Sequence, residues 1–481
     1  MKRKFLTNLA LLILLNLLIK PVWIWVDISV QNAVGVKEYG LYITLFALPF
    51  ILNILLDMGI TNYNNRNIAR NNRLLTKYFS IIVGLRGILA IIYFIVCFIA
   101  GYFLGYNSRE FYFLLFLALN QVLLQFIMYL RSNITGLHLY TTNSFVSVLD
   151  RALMIIFCSI LLWTGITNKK FRIEWFVYVQ TVAYIIATLI TFLIVLSKSK
   201  SFKIRFDWKF YYLILKQSFP FALLCLLMAI YTRVDFIMID ILLPETGKEQ
   251  AGIYAQSFRI FDGLYQFAML FPVLLLPMFA RMIKQNESIS SLLKLSYIIL
   301  IIPSIIIAVS AIFFGNDIIS LIFKEQIEKS SSIFLLLMTA FISFCTVIIF
   351  STLLTANGSL RELNILCGIC VIINIILNLI LIPLKGAYGS AIACLVTQSV
   401  AAVMQVMTAK RMFTLRTNYR LIITLLLFIA GTCLLGWTSD KFIDNRMIGF
   451  AALVGSGIIF AFLIRLANMR DIYSILKYED D

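Results

Sequence analysis

Histidine and acidic residues are scarce in this chain of 481 residues. It has one histidine, His138, and 23 Asp and Glu against 41 Lys and Arg. One histidine is too few for most histidine metal centres, and it leaves a single candidate for any acid–base or nucleophilic site that depends on histidine. The chain also lacks a phosphate-binding P-loop and an H-E-x-x-H motif. We predict a protein that is not an enzyme, holds no cofactor, and needs an ion or substrate gradient for any transport.

Charge of either sign is sparse as well. Only 13% of the residues are charged and 61% are hydrophobic, with a mean hydropathy of +0.95. A water-soluble fold cannot bury so much apolar surface, so lipid must surround the chain. The net charge of +18 then indicates basic cytoplasmic loops rather than a nucleic-acid partner. All eight cysteines lie inside apolar runs, which argues against a disulfide framework.

Apolar runs of spanning length occupy most of the chain. Because about 20 helical residues cross a bilayer, they predict an all-α polytopic membrane protein with about fourteen transmembrane helices. The segment "LKGAYG" at 384–389 is the only break between the eleventh and twelfth runs, and it predicts a tight helical hairpin. The predicted runs are 6–30, 39–60, 76–104, 111–131, 143–163, 174–196, 212–242, 251–280, 293–314, 331–354, 363–383, 387–409, 419–437 and 447–466.

Basic residues set the predicted orientation. With the N-terminus in the cytoplasm, the inner ends of the runs have about twice as many Lys and Arg as the outer ends, as expected for inner loops. The segment 197–211 alone contains Lys198, Lys200, Lys203, Arg205 and Lys209. We therefore predict that both termini and this loop are cytoplasmic.

A weak internal repeat divides the chain. Residues 25–42, "WVDISVQNAVGVKEYGLY", and residues 233–254, "RVDFIMIDILLPETGKEQAGIY", share a Val-Asp pair, a polar loop and a Gly-x-Tyr that opens the next helix. The two segments lie six runs apart, which is typical of transporters built from repeated halves. The repeat predicts two pseudo-symmetric six-helix lobes, 1–204 and 205–410, followed by two extra helices and a short tail in 411–481.

Polar residues line one face of the first run. In "NLLIKPVWIWVDISVQ", residues 16–31, the spacing of Asn16, Lys20, Trp23, Asp27 and Gln31 places all five on one side of a helix. A charge at membrane depth costs roughly 2.5–3.5 kcal/mol unless it faces protein or water. The stripe therefore predicts that Lys20 and Asp27 face an internal cavity.

Further cations recur at membrane depth in both halves. Structural ion pairs such as Asp150–Arg151 or Arg259–Asp262 could account for some of them, and buried amides could act as contacts between helices. We nevertheless favour a central cavity whose cationic lining binds an anion such as phosphate or pyrophosphate, because guanidinium groups match phosphate oxygens. The predicted lining residues are Lys20, Arg86, Arg151, Arg233 and Arg259.

Several segments resemble a known family. Residues 27–42, 55–70, 231–263 and 274–283, together with "NLILIPLKGAYGSAIACLVTQ" at 378–398, are similar to the multidrug/oligosaccharidyl-lipid/polysaccharide (MOP) exporter superfamily. Within it, the chain resembles the polysaccharide biosynthesis proteins of the O-antigen flippase type. The resemblance covers about residues 5–410 and implies two six-helix lobes that alternate access without ATP. Two additional helices at the C-terminus are also found in the lipid II flippase branch.

The resemblance implies a function. A flippase of this kind would move an oligosaccharide linked to undecaprenyl pyrophosphate across the bacterial inner membrane for lipopolysaccharide or other surface polysaccharide synthesis. The five cavity cations would hold the pyrophosphate, while Asp27, Asp235 and Asp262 would be candidates for coupling to H⁺ or Na⁺. Polysaccharide polymerase and chain-length proteins would be possible partners. The loops between runs 1–2 and 7–8 would form the outer gate.

Three alternative interpretations remain. A lipid II flippase would share the cationic cavity and the lipid-linked substrate. An ion-coupled drug or metabolite exporter of the same superfamily would need an acidic, aromatic cavity, which the arginines disfavour. A membrane polysaccharide polymerase or glycosyltransferase would need a large outer loop or a catalytic domain, and no run of the sequence is long and polar enough to supply one.

Overall fold

The protein is helical throughout the part of the chain that the computed structural model describes, residues 2–61, 64, 68, 74–137, 139–164, 170–199, 206–415 and 418–466. His138 and the loop cations Lys200, Lys203 and Arg205 lie outside the described residues. The helices are α1 Lys2–Val34, α2 Val36–Leu52, α3 Ile54–Asp57, α4 Leu74–Phe103, α5 Ser108–Gly136, α6 Tyr140–Trp163, α7 Ile173–Lys198, α8 Trp208–Leu242, α9 Gly247–Ala268, α10 Leu270–Lys284, α11 Ser290–Ile322, α12 Ile327–Ala356, α13 Leu360–Phe413, α14 Tyr419–Phe442 and α15 Arg446–Leu463.

The described helices account for the apolar runs. They contain 13 segments long and apolar enough to cross a membrane. One of them, α13, consists of two arms, because Gly386 has the non-helical angles φ 58° and ψ −141°. The arms pack closely, since a Cβ on Gly389 would lie 2.2 Å from the carbonyl oxygen of Leu381. The predicted hairpin at 384–389 is therefore confirmed, and with it the all-α polytopic fold of about fourteen spans.

The chain divides into two compact units, residues 1–252 and 253–481. In the first unit, α1 packs on α6, α5 on α7, and α2 on α8. In the second unit, α12 packs between α11 and α13, and the pair α14–α15 packs on α11. The sequence-based lobe boundaries after residues 204 and 410 stay predictions.

The helix α4 shows how the sequence suits a lipid environment. Ile91, Ile95 and Ile99 are each more than half exposed, whereas Tyr93 and Cys97 on the opposite side are fully buried. Exposed isoleucines would be unfavourable in water but are well solvated by hydrocarbon. The protein is accordingly a multi-pass membrane protein.

The repeated Gly-x-Tyr segments contact each other in the first unit. A Cβ on Gly40 would lie 1.7 Å from the Lys248 carbonyl oxygen, and a Cβ on Gly252 would lie 2.0 Å from the Val36 carbonyl oxygen. Val36 and Lys248 each precede their glycine by four residues, so the contact is reciprocal. Reciprocal contacts of this kind are a property of two-fold symmetry, and they agree with the repeat found in the sequence.

Candidate functional site

Three cations from three helices come together in the first unit. Lys20 of α1 is partly buried and lies within electrostatic range of Arg151 of α6 and Arg131 of α5. The helices α1 and α6 are held side by side, and the Asn16 amide donates a hydrogen bond to Ser147 Oγ across them at 3.3 Å. We call Lys20, Arg131 and Arg151 the cationic cluster.

Among the described residues, Arg151 has no carboxylate within hydrogen-bond length, although Nη1 donates to Met154 Sδ at 3.7 Å and the guanidinium donates to the Tyr184 oxygen. Its guanidinium lies over the Trp23 ring, 5.1 Å from the ring centroid, and its side chain is 32% exposed. The Asp150 carboxylate is 3.7 Å from Arg151 Nε, beyond hydrogen-bond length. A guanidinium that stacks on an aromatic ring and pairs loosely with a carboxylate can still present N–H donors to a phosphate.

Arg131 is a member of the cluster that the sequence did not reveal. From the sequence it is a loop charge at the end of the fourth run, but the structure places it inside α5. Its Nε donates to Asn143 Oδ1 at 3.1 Å, and the carboxylate of Asp150 attracts both Arg131 and Arg151. The apolar run gives no periodic signal for Arg131, because its neighbours on the helix face are not charged.

Asp27 lies further along α1 and is buried. It is 2% exposed, and the Tyr39 hydroxyl donates to both carboxylate oxygens at 3.2 Å. Arg151 is also within electrostatic range of Asp27. The seven residues between Lys20 and Asp27 correspond to about 10 Å of helix, so the two side chains mark different depths of one face.

Arg86 belongs to a different network, in which its two terminal nitrogens have acceptors and its buried Nε has none. Its Nη2 donates to Asp57 Oδ1 and, at 2.8 Å, to Thr61 Oγ1, while Nη1 donates to the Gln125 carbonyl oxygen at 2.9 Å. The guanidinium also lies over the Tyr129 ring at 4.8 Å and is only 6% exposed. Asp57 was not among the predicted residues, and it takes the place of the anion that the sequence assigned to Arg86.

The remaining predicted residues lie on α8 and α9. Arg233 is partly exposed and lies over the Phe50 ring at 4.8 Å, and Asp235 is 1% exposed. Arg259 and Asp262 are in the second unit and partly exposed. The structure therefore brings Lys20, Arg151 and Asp27 to one region of the first unit and places Arg86 and Arg233 in separate contacts.

Comparison with known proteins identifies the family. The model of the polysaccharide biosynthesis protein family matches residues 5–283. The chain belongs to the polysaccharide biosynthesis protein family. The cationic cluster and Asp27 therefore lie within the part of the chain that the family shares. No curated protein matches the chain by sequence.

Solved structures of MOP exporters share the fold of this family member. The lipid II flippase MurJ in an inward closed conformation has a TM-score of 0.72 at 15% identity, covering 95% of this chain and 99% of that one. An inward-facing multidrug resistance MATE transporter has a TM-score of 0.63 at 13% identity over 82% and 94% of the two chains. A MOP transporter from Pyrococcus furiosus has a TM-score of 0.57 at 12% identity over 85% and 94%.

A second polar group of this family member lies where α5 meets the start of α9. The Lys248 ammonium pairs with the Glu110 carboxylate, and the Gln31 amide donates to the Gly252 carbonyl oxygen at 3.2 Å. Burial, with the nearby charges of Asp240 and Glu110, raises the pKa of Tyr106 above its ordinary value, so this phenol stays neutral. The group ties the repeated segments together beside their glycine contact.

Metal binding has no geometric support in the described part of the chain. No group of three or more His, Cys, Asp or Glu side chains is placed to hold a metal ion there. Cys367 and Cys370 are buried on the first arm of α13 and are not joined in a disulfide. The candidate site thus offers cations, aromatic rings and the two buried carboxylates Asp27 and Asp150.

Proposed function

We propose that the protein is a flippase for a lipid-linked oligosaccharide carried on undecaprenyl pyrophosphate. The headgroup enters from the cytoplasm, and the prenyl tail stays in the lipid. Alternating access then moves the headgroup across the bacterial inner membrane for O-antigen or related polysaccharide synthesis. Both termini are cytoplasmic in this proposal. The protein binds and moves its substrate without catalysing a covalent step.

The cationic cluster is the observation that supports this proposal most directly. Lys20, Arg131 and Arg151 are brought together although like charges repel, and the nearby carboxylates Asp150 and Asp27 offset them only in part. Such repulsion is relieved when an anion binds, and pyrophosphate has enough charge to bind several cations at once. A lipid-linked pyrophosphate also supplies the hydrocarbon that a membrane-embedded site requires.

The individual residues take different roles in the proposal. Lys20, Arg131 and Arg151 bind the pyrophosphate, and Asp27 couples transport to H⁺ or Na⁺ because it is a buried carboxylate close to that site. Arg233 and Arg259 remain candidate substrate contacts, and Asp235 and Asp262 remain candidate coupling residues. We assign Arg86 a structural role instead, because Asp57, Thr61 and Gln125 already accept its hydrogen bonds.

A lipid II flippase is the second candidate. The MurJ structure is matched over 99% of its length and 95% of this chain. Lipid II is itself a prenyl-pyrophosphate glycan, so the cationic cluster suits either substrate. A drug exporter for organic cations is less well supported, because the cluster would repel its cargo.

Translocation in proteoliposomes tests the proposed function. The substrate is undecaprenyl-pyrophosphoryl-N-acetylglucosamine, and movement is measured as the fraction that becomes accessible to a soluble galactosyltransferase. We expect the wild-type protein to translocate the lipid, and Lys20→Gln or Arg151→Gln to slow it at least tenfold at equal protein levels. Translocation at the wild-type rate by both variants would contradict the role of the cluster.

Asp27 is tested in the same assay. We expect Asp27→Asn to translocate with an altered dependence on pH or Na⁺, because the variant can no longer bind and release the coupling cation. Tyr39→Phe removes the hydroxyl that donates to Asp27 but keeps the carboxylate, so its response to the ion gradient should survive. An unchanged ion dependence in Asp27→Asn would exclude Asp27 as the coupling residue.

A further inference from the structure

We propose that one face of α2 and α3 binds sugar rings of the substrate headgroup. The face consists of Phe46, Phe50, Asn53 and Asp57, and we call it the glycan face. The inference rests on the proposed function, since it assumes a substrate with a pyrophosphate and a glycan. It adds a second subsite, which determines affinity for the sugar rather than for the phosphate.

The spacing of these residues defines the face. Positions 46, 50, 53 and 57 fall at i, i+4, i+7 and i+11, within a narrow arc of a helix. The helical path continues from α2 into α3, because Asn53 between them has φ −60° and ψ −20°. All four residues are partly exposed, whereas most other residues of α2 are buried. The arc is therefore the accessible side of an otherwise buried helix.

Polar neighbours show that this side does not face hydrocarbon. The Asn53 amide donates to Gln121 Oε1 at 3.3 Å, and Asp57 pairs with Arg86. On the aromatic half of the face, the Arg233 guanidinium lies 4.8 Å from the Phe50 centroid. Amide, carboxylate and guanidinium groups are costly against lipid tails, so the face must border protein or a wet cavity.

The combination of groups matches the chemistry of a pyranose. A sugar ring has an apolar face of C–H groups and a rim of hydroxyls that both donate and accept hydrogen bonds. Phe46 stacks on Tyr42, with centroids 6.0 Å apart, and its ring is tilted by 38° to that of Phe50 at 5.6 Å, so the three rings form a continuous aromatic surface. Such rings bury C–H faces favourably, while Asn53, Asp57 and Arg233 can bond to hydroxyls.

The aromatic end of the glycan face, at Phe46, lies at the depth of the cationic cluster. Asp27 of α1 contacts Tyr39 of α2, and Trp23 and Tyr42 both pack against Phe176, at 6.0 Å and 5.2 Å. The two helices thus run antiparallel. Because α1 and α2 are antiparallel, Lys20 lies about 5 Å from Trp23 along α1 in the same direction as Phe46 lies from Tyr42 along α2. A glycan attached to a pyrophosphate near Lys20 would therefore meet Phe46 and Phe50.

Two lipids separate the subsites experimentally. The full-length protein in nanodiscs is titrated with undecaprenyl pyrophosphate and with undecaprenyl-pyrophosphoryl-N-acetylglucosamine, which differ in one sugar and in the ionisable terminal oxygen that the sugar esterifies. We expect the wild type to bind the sugar-bearing lipid about tenfold more tightly, as one well-stacked aromatic contact allows. Phe46→Leu and Phe50→Leu should each lose most of this difference without weakening the bare lipid.

Matched variants control for folding and hydrophobicity. Phe50→Tyr keeps the ring and should retain the sugar preference, and Phe145→Leu makes the same change at a residue of α6 that is 57% exposed. Equal binding of both lipids by the wild type, or a full sugar preference in Phe46→Leu and Phe50→Leu, would overturn the glycan face alone. Failure of the wild type to bind either lipid would overturn the proposed function and the glycan face with it.

Discussion

Arg86 and Arg151 are both arginines deep in membrane helices of the same unit, yet their surroundings differ. Arg86 is 6% exposed, and four groups from two segments of chain, 57–61 and 125–129, surround its guanidinium. Arg151 is 32% exposed, stacks on Trp23, and has Asp150 only at 3.7 Å. The difference teaches that an arginine inside the membrane is the stronger functional candidate when its side chain is exposed and its carboxylate partner is beyond hydrogen-bond length.

The largest expected effect on stability comes from removing Arg86 from its ion pair with Asp57. Arg86→Ala leaves the Asp57 carboxylate, which is 16% exposed, without its charged partner at membrane depth, which should destabilise the fold by about 3 kcal/mol. The loss is measured as membrane accumulation and as thermal stability in detergent. Arg151→Ala is the control, because the Arg151 side chain is 32% exposed. If Arg86→Ala were as stable as the wild type, Arg86 would not have a structural role and would be as good a candidate for substrate binding as Arg151.

The double variant Asp57→Leu/Arg86→Met sharpens the same point. Replacing both members of a buried ion pair by apolar groups of similar size is often neutral, whereas removing one is costly. We therefore expect the double variant to recover roughly 2 kcal/mol or more of the stability lost in Arg86→Ala, as measured by unfolding in detergent. Additive losses in the double-mutant cycle would show that Asp57 and Arg86 act independently.

At Arg151 we expect a substitution to weaken substrate binding rather than to destabilise the fold. Arg151→Ala should accumulate normally but bind undecaprenyl pyrophosphate roughly 10- to 100-fold more weakly, since a charge-assisted hydrogen bond contributes about 1.5–3 kcal/mol. Arg151→Lys should recover only part of the affinity, because an ammonium lacks the planar fork. Poor accumulation of both variants would instead make Arg151 part of the scaffold.

The smallest expected effect is at an exposed pair. Arg446 pairs with Asp440 near the start of α15, where the two side chains are 51% and 36% exposed. Arg446→Ala should change stability by less than about 1 kcal/mol, because water screens exposed pairs and replaces their contacts. A loss of stability as large as that of Arg86→Ala would mean that solvent exposure does not determine how much these ion pairs stabilise the protein.

The fold could be predicted because lipid imposes one dominant constraint. Each apolar run must satisfy its own backbone as a helix, so length and composition suffice to find the spans. The hairpin in α13 was also predictable, because Gly386 permits a backbone conformation that ends one arm and starts the next. The alternation between exposed and buried residues on α4 follows from the same constraint.

The candidate site was predictable only in part. The helical spacing of Lys20 and Asp27 identified one face of α1, and the structure shows that Asp27 is buried there and that Lys20 lies near Arg151. Partners on other helices leave no trace in local spacing. Asp57 and Arg86 are 29 residues apart, and Arg131 joins Lys20 from a helix that begins at Ser108. Such pairings are set by tertiary packing.

The contact between Gly40 and Gly252 has a consequence for how the two halves of the chain can diverge. Each glycine faces the backbone of the other copy of the repeated segment, so a side chain gained in one half collides with main chain in the other. Every residue has the same backbone atoms, so no mutation in the partner segment can remove the carbonyl oxygen that a new side chain would meet. The two repeated segments can therefore differ in charge, in loop length and in binding residues, while Gly40 and Gly252 are both expected to stay glycine.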